Sequence, residues 1–257
     1  MISTKSPREL LLMKEAGRIT ALAHEEVKKM IRPGTTTLML DKLIEDTIRS
    51  QGALPSFKGL YGFPNASCMS INNELVHGIP GKTVLKNGDI ISIDIGACYQ
   101  GYHGDSAWTY AVGEIDASAQ KLLQVTKDAL FVGLAQVKAG NRLGDVSHAI
   151  GEYVFSFGFS VPADYTGHGI GSSVHEEPII PNFGTAGLGV LLKEGMTLAI
   201  EPMVHIGKPF TKVLENNWTV VTKDGSLSAH FEHTVLVTKD GYEILTRNME
   251  EDHSING

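Results

Sequence analysis

Residues 88–113 read GDIISIDIGACYQGYHGDSAWTYAVG, and the rest of the chain is organised around them. An isoleucine-rich segment, a polar turn and an aromatic-rich segment predict a β-hairpin. Two carboxylates, Asp94 and Asp105, stand where strand propensity and burial favour apolar residues. With a two-residue turn centred on Tyr99 and Gln100 they would face each other, and like charges directly opposed in a sheet are destabilising. Such a pair needs a compensating cation or a shared proton.

The register of this hairpin stays open from the sequence alone. Gly101 could close a three-residue turn, and Gly104 could form a bulge that shifts the pairing. On this stretch alone, two solvent-facing aspartates near the turn explain the sequence equally well. The remainder of the chain has to decide between these interpretations.

The composition is that of an ordinary globular protein. The chain has 257 residues, of which 42% are hydrophobic and 20% charged, which is ample for a buried core. A net charge of −7 argues against a nucleic-acid partner bound by a basic surface. Two cysteines, Cys68 and Cys98, are too few for a disulfide framework and lack metal-site spacing, so we expect a reducing, cytoplasmic location. Neither a membrane span nor an export segment is predicted.

Four helices are predicted around the hairpin. Residues 6–9 form a capping box with proline at the first helical position, and apolar residues recur at spacings of three and four through residues 12–30. Thr37 is the expected cap of a second helix, which Gly52 closes. The remaining expectations are a third helix over 118–138, a fourth over 143–157, a loop over 53–69 and a mobile tail over 248–257.

The chain also contains an internal repeat. Residues 31–52 and 137–158 share a glycine, a helix and a closing glycine, and the two glycines are 18 residues apart in both segments. The same offset, within one residue, carries KNGDIISID onto KEGMTLAIE, so that Asp94 corresponds to Glu201. A duplicated α+β unit that offers a carboxylate from each copy predicts a pseudo-twofold fold with its site at the junction. We expect one domain over 1–257, with halves at about 1–112 and 113–247.

Five residues together indicate a metal centre. Glu201 lies in MTLAIEPM and Glu232 in SAHFEHTVLVT, both strand-like and without a lysine or arginine partner, and His168 lies between two glycines. Charged groups are almost never fully buried unless they are paired or bind metal. One imidazole with four carboxylates suits two divalent first-row ions about 3.5–4 Å apart, and the imidazole argues against Mg or Ca. Taken singly, each residue is better explained as a surface carboxylate or a satisfied histidine. The set is Asp94, Asp105, His168, Glu201 and Glu232.

These motifs give the chain a resemblance to the bacterial type I methionine aminopeptidases. The resemblance covers essentially the whole chain through SINNELVHGIP, GDIISIDIGACYQGYHGDSAWTY, TGHGIG followed by HEEP, LAIEPM and FEHTVLVT. It implies the pita-bread fold, with a curved antiparallel sheet flanked by helices. It implies that the five residues bind two divalent ions, with Co, Mn, Fe and Zn as candidates. The implied activity is removal of the initiator methionine from nascent polypeptides with a small second residue, by a monomer whose ribosome contacts stay open.

The resemblance also implies roles for individual residues. A water bridging the two ions would be the nucleophile, and Glu201 would take and relay its proton. His175 would stabilise the developing oxyanion, and His77 would contact the scissile amide nitrogen. Without the resemblance, a surface or turn position explains both histidines better. The implied pocket for the methionine side chain consists of Phe57, Leu60, Phe63, Cys68 and Trp218.

The chain departs from the better-known enterobacterial pattern at four positions. Leu60 and Val174 stand where that pattern has aromatic residues, Phe57 replaces a cysteine, and His230 stands where a glutamine is common. We expect these differences to change side-chain and inhibitor preference more than the type of reaction. A cluster of aromatic and aliphatic residues of this kind is also often plain core.

Two other functions stay open. X-Pro aminopeptidases and prolidases resemble this chain in fold and metal ligands, but they carry a substantial N-terminal domain, whereas 76 residues precede His77 here. A pita-bread binding protein that has lost catalysis typically lacks the metal ligands, and all five are present. Substrate preference distinguishes the first alternative, and metal analysis distinguishes the second.

Overall fold

The structure is a computed structural model that describes residues 2–247. The tail that we expect to be mobile, residues 248–257, lies outside the described range. The helices are α1 (Pro7–Lys28), α2 (Thr37–Ser50), α3 (Ala117–Leu134) and α4 (Leu143–Ser156), and a 3₁₀ segment covers Leu60–Gly62. The strands are β1 (Leu54–Pro55), β2 (Ser67–Ile71), β3 (Glu74–Val76), β4 (Ile90–Tyr99), β5 (Tyr102–Ala111), β6 (Gly167–Gly169), β7 (Glu176–Ile180), β8 (Thr197–Ile200), β9 (Met203–His205), β10 (Thr211–Val213), β11 (Val220–Thr222), β12 (Ser228–His230), β13 (His233–Val237) and β14 (Tyr242–Ile244).

The helices begin where nearby side chains satisfy their first amides. The capping box predicted for α1 is present, since the Ser6 hydroxyl accepts from the Glu9 amide and the Glu9 carboxylate accepts from the Ser6 amide. Thr36, rather than Thr37, caps α2, because the Thr37 hydroxyl is engaged with the backbone of Gly81. The third helix ends at Leu134, earlier than predicted, while α4 matches its predicted bounds to within one residue. None of the helices in residues 2–247 is long and apolar enough to cross a bilayer.

The strands pair in antiparallel fashion to form four sheets within the described residues. One sheet has the order β1-β4-β2 with β5 paired to β4, and another has the order β14-β13-β8-β6-β7. The smaller sheets are β10-β11-β3 and β12-β9. Helix α1 packs across β4 and β5, while α3 packs on β8, β9 and β12 and also against α4. Antiparallel sheets flanked by helices are the α+β architecture that the sequence predicts.

The hairpin of β4 and β5 differs from the predicted register. Its turn is centred on Gln100 and Gly101, one residue later than expected, and both have the positive φ that a type I′ turn requires. Asp94 therefore lies opposite an alanine and Asp105 opposite a glycine. The predicted direct opposition of the two aspartates is wrong. They are diagonal neighbours on the same face of the hairpin, close enough for the charge of Asp94 to raise the pKa of Asp105.

Two separate apolar cores lie on the two sides of the junction between the two halves of the chain. One core draws its buried residues from positions 19–112, beneath α1 and α2, and includes Ile91, Ile93 and Ile95 on one face of β4. The other core lies beneath α3 and α4 and draws most of its residues from positions 119–244. Because successive side chains of a strand point to opposite faces, the isoleucines place Asp94 on the face that is turned away from the helices.

The repeat seen in the sequence has matching backbone hydrogen bonds. The Gly34 amide donates to the Leu85 carbonyl, and at the equivalent positions the Gly140 amide donates to the Leu192 carbonyl. The helices that follow, α2 and α4, are both 14 residues long. The duplication is therefore a property of the backbone as well as of the sequence.

Candidate active site

A cavity of about 670 Å³ opens between the sheets, with walls from both sides of the junction. Every side chain that the sequence or the resemblance places at the site lines this cavity. These side chains are Asp94, Asp105, His168, Glu201, Glu232, His77, His175, Phe57, Leu60, Phe63, Cys68 and Trp218. Residues that are far apart in the chain are thus brought to one place.

Four carboxyl groups share the buried end of the cavity. Asp105, Glu201 and Glu232 are at most 9% exposed, and Oδ1 of Asp94 is buried. Burial raises the pKa of Asp94 and of Glu201 to about 7. Burial and then the neighbouring carboxylates raise the pKa of Asp105 and of Glu232 well above their usual values. Acids that are buried this close together either hold protons or bind cations.

Several atoms at this end of the cavity lack a hydrogen-bond partner among the described residues. They include Asp94 Oδ1, Asp105 Oδ1, Glu232 Oε1 and His230 Nε2, all of them buried. Buried polar atoms are normally hydrogen-bonded, so four unpartnered atoms in one place indicate a ligand that completes them. Carboxylate oxygens and imidazole nitrogen are donors for divalent first-row metals. The residues that are present therefore fit a metal centre.

Two groups of three residues offer ligand atoms that lie close enough for one ion each. Asp105, His168 and Glu232 form the first group, and Glu201, His230 and Glu232 form the second. In each group the ligand atoms lie within 4.8 Å of one another. Glu232 belongs to both groups, as a centre of two neighbouring ions requires of a bridging carboxylate. Asp94 lies in neither group, but it is close enough to the first for its charge to raise the pKa of Asp105.

Hydroxyl groups fix the backbone of this centre. Thr234 Oγ1 accepts from the Asp105 amide at 2.9 Å and donates to the Asp105 carbonyl at 2.8 Å. Thr109 Oγ1 accepts from the His230 amide and donates to the His230 carbonyl, at 2.9 Å in both cases. The Glu232 amide donates to the backbone of β5. Strand β5 is thereby joined to the segment that runs from β12 into β13.

His168 is oriented by the backbone of its own strand. Its Nδ1 lies 2.9 Å from the carbonyl oxygen of Gly169, and because a carbonyl only accepts, Nδ1 carries the hydrogen. Nε2 therefore presents its lone pair to the carboxylates, and it lies 3.3 Å from Glu201 Oε1. A Cβ at Gly167 or Gly169 would overlap a carbonyl oxygen of β8 or β7, which confirms the close backbone approach predicted there.

His77 and His175 face the cavity outside the carboxylate cluster. The His175 ring meets the His168 ring edge-on at a centroid distance of 4.6 Å, and the His77 ring meets the Trp218 ring edge-on at 6.5 Å. Both side chains are accessible from the cavity, yet desolvation by the cavity walls lowers the pKa of each, and for His77 to about 4. Nearby imidazoles also lower the pKa of both histidines. Both histidines are therefore neutral at pH 7 and can donate one N–H each.

The pocket implied for the substrate side chain is a compact apolar cluster. Cys68 pairs with Asp94 across β2 and β4, which joins the pocket to the carboxylates. Burial raises the pKa of the Cys68 thiol well above its usual value, so this cysteine acts as an apolar wall. Val174, one of the departures from the enterobacterial pattern, is part of the same cluster. Its members are Phe57, Leu60, Phe63, Cys68, Ile79, Val174 and Trp218.

Sequence reasoning missed Tyr61, which also lines the cavity, and gave His230 a lesser role. Tyr61 stacks on His175 with centroids 5.9 Å apart and an interplanar angle of 5°, although it is 76% exposed. Its φ of 51° is unusual for a residue other than glycine, and the flanking Gly59 and Gly62 are the signal that could have found this turn. His230, interpreted only as a departure in the pocket, lies inside the carboxylate cluster. Burial lowers its pKa to about 4.

Comparison with known proteins identifies the class to which this fold and site belong. The profile of Metallopeptidase family M24 matches residues 11–239. The chain is 58% identical to Methionine aminopeptidase 1 of Bacillus subtilis over 247 residues, which are 96% of this chain and 100% of that protein. It is 50% identical to a methionine aminopeptidase of Clostridium perfringens, with 96% and 99% covered. The chain therefore belongs to metallopeptidase family M24.

Solved structures place the chain within that family. The crystal structure of a methionine aminopeptidase from Thermotoga maritima superposes with a TM-score of 0.95 at 51% identity, over 96% of this chain and 100% of that chain. An Xaa-Pro dipeptidase from Bacillus anthracis has a TM-score of 0.75 at 26% identity, and this chain spans 62% of it. The predicted pita-bread fold is confirmed. This chain spans the whole length of the Thermotoga maritima methionine aminopeptidase but only 62% of the X-Pro enzyme.

Proposed function

We propose that this protein removes the N-terminal methionine from polypeptides whose second residue is small, with two divalent metal ions as cofactors. One observation carries the proposal: a cluster of buried, unpartnered carboxylate oxygens adjoins an apolar pocket within a single cavity. The full-length relatives named methionine aminopeptidases support it.

The chemistry of the metal centre follows from its donor set. Asp94, Asp105, His168, Glu201 and Glu232 would hold the ions, with Mn, Fe, Co and Zn as candidates and cellular availability deciding among them. When bound, the ions supply Lewis-acid activation of a water and of the scissile carbonyl. Glu201 would take a proton from water and pass it to the leaving amine.

The remaining side chains bind and orient the peptide. Neutral His175 donates its N–H to the carbonyl oxygen as negative charge develops there. Neutral His77 contacts the scissile amide nitrogen and positions it. Trp218 and Phe63, in edge-on contact at 5.1 Å, form part of the apolar wall that receives the methionine side chain and excludes water from it.

The chain acts in this proposal as one catalytic unit built from two halves, at about 1–112 and 113–247. Asp94 and Asp105 come from the first half, and the other three ligands come from the second. The complete ligand set lies on a single chain, which supports a monomeric enzyme. Its partners are the N-termini of nascent chains in the cytoplasm, where contact with the ribosome would bring enzyme and substrate together.

One assay separates this function from its alternatives. The protein is stripped with a chelator, restored with Mn, Co or Fe, and assayed on the peptides Met-Ala-Ser and Ala-Pro-Ala. We expect metal-dependent release of free methionine and little cleavage of the proline peptide. Preference for the proline peptide would assign the protein to the X-Pro enzymes. Bound metal without turnover of either peptide would indicate a binding protein.

A further inference from the structure

His230 lies inside the carboxylate cluster, where none of the roles above uses its side chain. The residue is 2% exposed, and its Nε2 is buried without a hydrogen-bond partner among residues 2–247. Nε2 lies 3.3 Å from Glu201 Oε2 and 3.9 Å from Glu232 Oε2. Glu232 Oε2 is beyond hydrogen-bond distance, and Glu201 Oε2 does not accept a hydrogen bond from Nε2. The imidazole therefore points into the same space as the unpartnered carboxylate oxygens.

These separations are those of two ligands on one ion. Metal–nitrogen and metal–oxygen bonds of about 2.0–2.2 Å place two ligand atoms of the same ion about 2.9–4.2 Å apart, depending on the angle between the bonds. Both distances from His230 Nε2 fall within this range. Thr109 holds the His230 amide and carbonyl, so the backbone that carries the ring is held in place by contacts that need no ion.

The Glu201 carboxylate has one imidazole on each side. Its Oε1 lies 3.3 Å from His168 Nε2, and its Oε2 lies 3.3 Å from His230 Nε2. Each oxygen of Glu201 thus has an imidazole nitrogen at the same distance. Each of the two three-residue groups contains one histidine.

We propose that His230 is a sixth metal ligand, so that each of the two ions is held by one imidazole. His168 serves one ion, and His230 serves the other. The inference rests on the proposed two-metal centre and deepens it. Because each ion would then have one nitrogen ligand, both ion sites favour Fe, Co or Zn over Mg, which prefers oxygen ligands.

The first test counts the bound imidazoles in the unmodified protein. Metal-free protein is loaded with two equivalents of Co(II), and its proton NMR spectrum is recorded in H₂O and in D₂O. Each imidazole bound to Co(II) through one nitrogen shows a strongly shifted, exchangeable N–H signal from the other nitrogen. We expect two such signals. A single signal at full loading would overturn the proposal without any variant being needed.

The second test measures affinity with a matched control. Co(II) is titrated calorimetrically into the metal-free protein, His230→Gln and His205→Gln. His205 is also fully buried, and its Nε2 has no hydrogen-bond partner among residues 2–247, but it does not line the cavity. We expect His230→Gln to weaken one of the two binding events by at least about tenfold and to lose one shifted signal, while His205→Gln binds like the unmodified protein.

The outcomes separate this inference from the proposed function. Two equivalents bound by His230→Gln with unchanged affinities would overturn the sixth ligand. Unmodified protein that releases methionine but shows one bound imidazole would overturn the sixth ligand and leave the function intact. Protein that binds Co(II) through two imidazoles and releases no methionine would overturn the function and leave the ligand set intact.

Discussion

His77 combines an unusual backbone conformation with a side chain at the reaction centre. Its φ of 58° lies in the left-handed region, where residues other than glycine cost on the order of 1–3 kcal/mol unless their surroundings hold them. Its carbonyl accepts from the Thr219 hydroxyl at 3.4 Å, and the next residue, Gly78, pairs with the Met69 backbone. Such strain often occurs at functional sites, and here it aims an imidazole into the cavity.

Replacing His77 should separate catalysis from metal binding. In His77→Ala the Cβ and the backbone conformation are kept, while the imidazole that positions the scissile amide is removed. We expect kcat on Met-Ala-Ser to fall by about 10²-fold or more. The metal content of the same samples, measured by elemental analysis, should stay near that of the unmodified protein. Loss of metal with unchanged turnover per bound ion would contradict this role.

At the scale of single residues, the sequence identifies the candidate metal ligands more readily than it identifies the residues that surround them. Carboxylates such as Asp94 and Asp105 are conspicuous because they interrupt apolar strands. Two histidines in SAHFEHTVLVT look alike in the sequence, yet His233 is a core residue whose Nδ1 lies 2.9 Å from Thr246 Oγ1, while His230 has no such partner in the described chain. Strand alternation places His230 on the face of Glu232 and His233 on the opposite face, but only tertiary contacts show that His230 enters the carboxylate cluster.

At the scale of elements, the contact between β5 and the β12–β13 segment determines the geometry of the site. The sequence predicts these strands, and it predicts most helix ends to within a few residues. It does not predict the register of the β4–β5 hairpin, because two adjacent turn positions have suitable residues and only the φ values of Gln100 and Gly101 decide. It also cannot show that Thr234 and Asp105, distant in the chain, exchange two hydrogen bonds.

Removing the Thr234 hydroxyl should weaken both the fold and the metal centre. Thr234→Val keeps the shape of the side chain but leaves the buried amide and carbonyl of Asp105 without this partner. We expect the free energy of unfolding, from urea denaturation of metal-free protein, to fall by about 1–3 kcal/mol, and Co(II) binding to weaken as Asp105 shifts.

A second threonine provides the control for this variant. Thr126 is fully buried, but its hydroxyl donates within its own helix, to the Leu122 carbonyl at 2.7 Å. Thr126→Val should leave Co(II) affinity unchanged, because it lies outside the metal centre. Equal effects of the two substitutions on Co(II) affinity would show that the Thr234 hydroxyl does not hold Asp105 in place.

At the scale of the whole molecule, stability depends on a histidine between α1 and the hairpin. His24 is 2% exposed, its Nε2 donates to the Ser106 carbonyl, and its Nδ1 accepts from the Tyr110 hydroxyl, at 2.9 Å in both cases. Burial lowers its pKa to about 4. Below a pH of about 6.5 the unfolded chain binds a proton at this residue, whereas the folded protein does not until about pH 4. Folding is therefore penalised as the pH falls through this window.

Comparison with a His24→Gln variant should reveal this loss of folding stability at low pH. At pH 7 the variant should be less stable than the unmodified protein, because a buried hydrogen-bonded ring is lost. At pH 4.5 the stability difference should be smaller by about 2–3 kcal/mol, since only the unmodified chain gains a proton at this position on unfolding. Urea unfolding of both proteins, metal-free at each pH, measures the change. A stability difference between the two proteins that is the same at both pH values would contradict the proton uptake assigned to His24 on unfolding.

The repeated backbone has a consequence for how such a centre could have originated. Asp94 and Glu201 occupy equivalent positions of the two copies and lie close enough to influence each other's charge. A single ancestral copy has only one such carboxylate, so it could complete the arrangement only by pairing with an identical chain about a twofold axis. Fusion of two such copies into one gene would remove the symmetry requirement. The two copies could then differ, as they do here, where the aspartate hairpin lies in one half and His168 and His230 lie in the other.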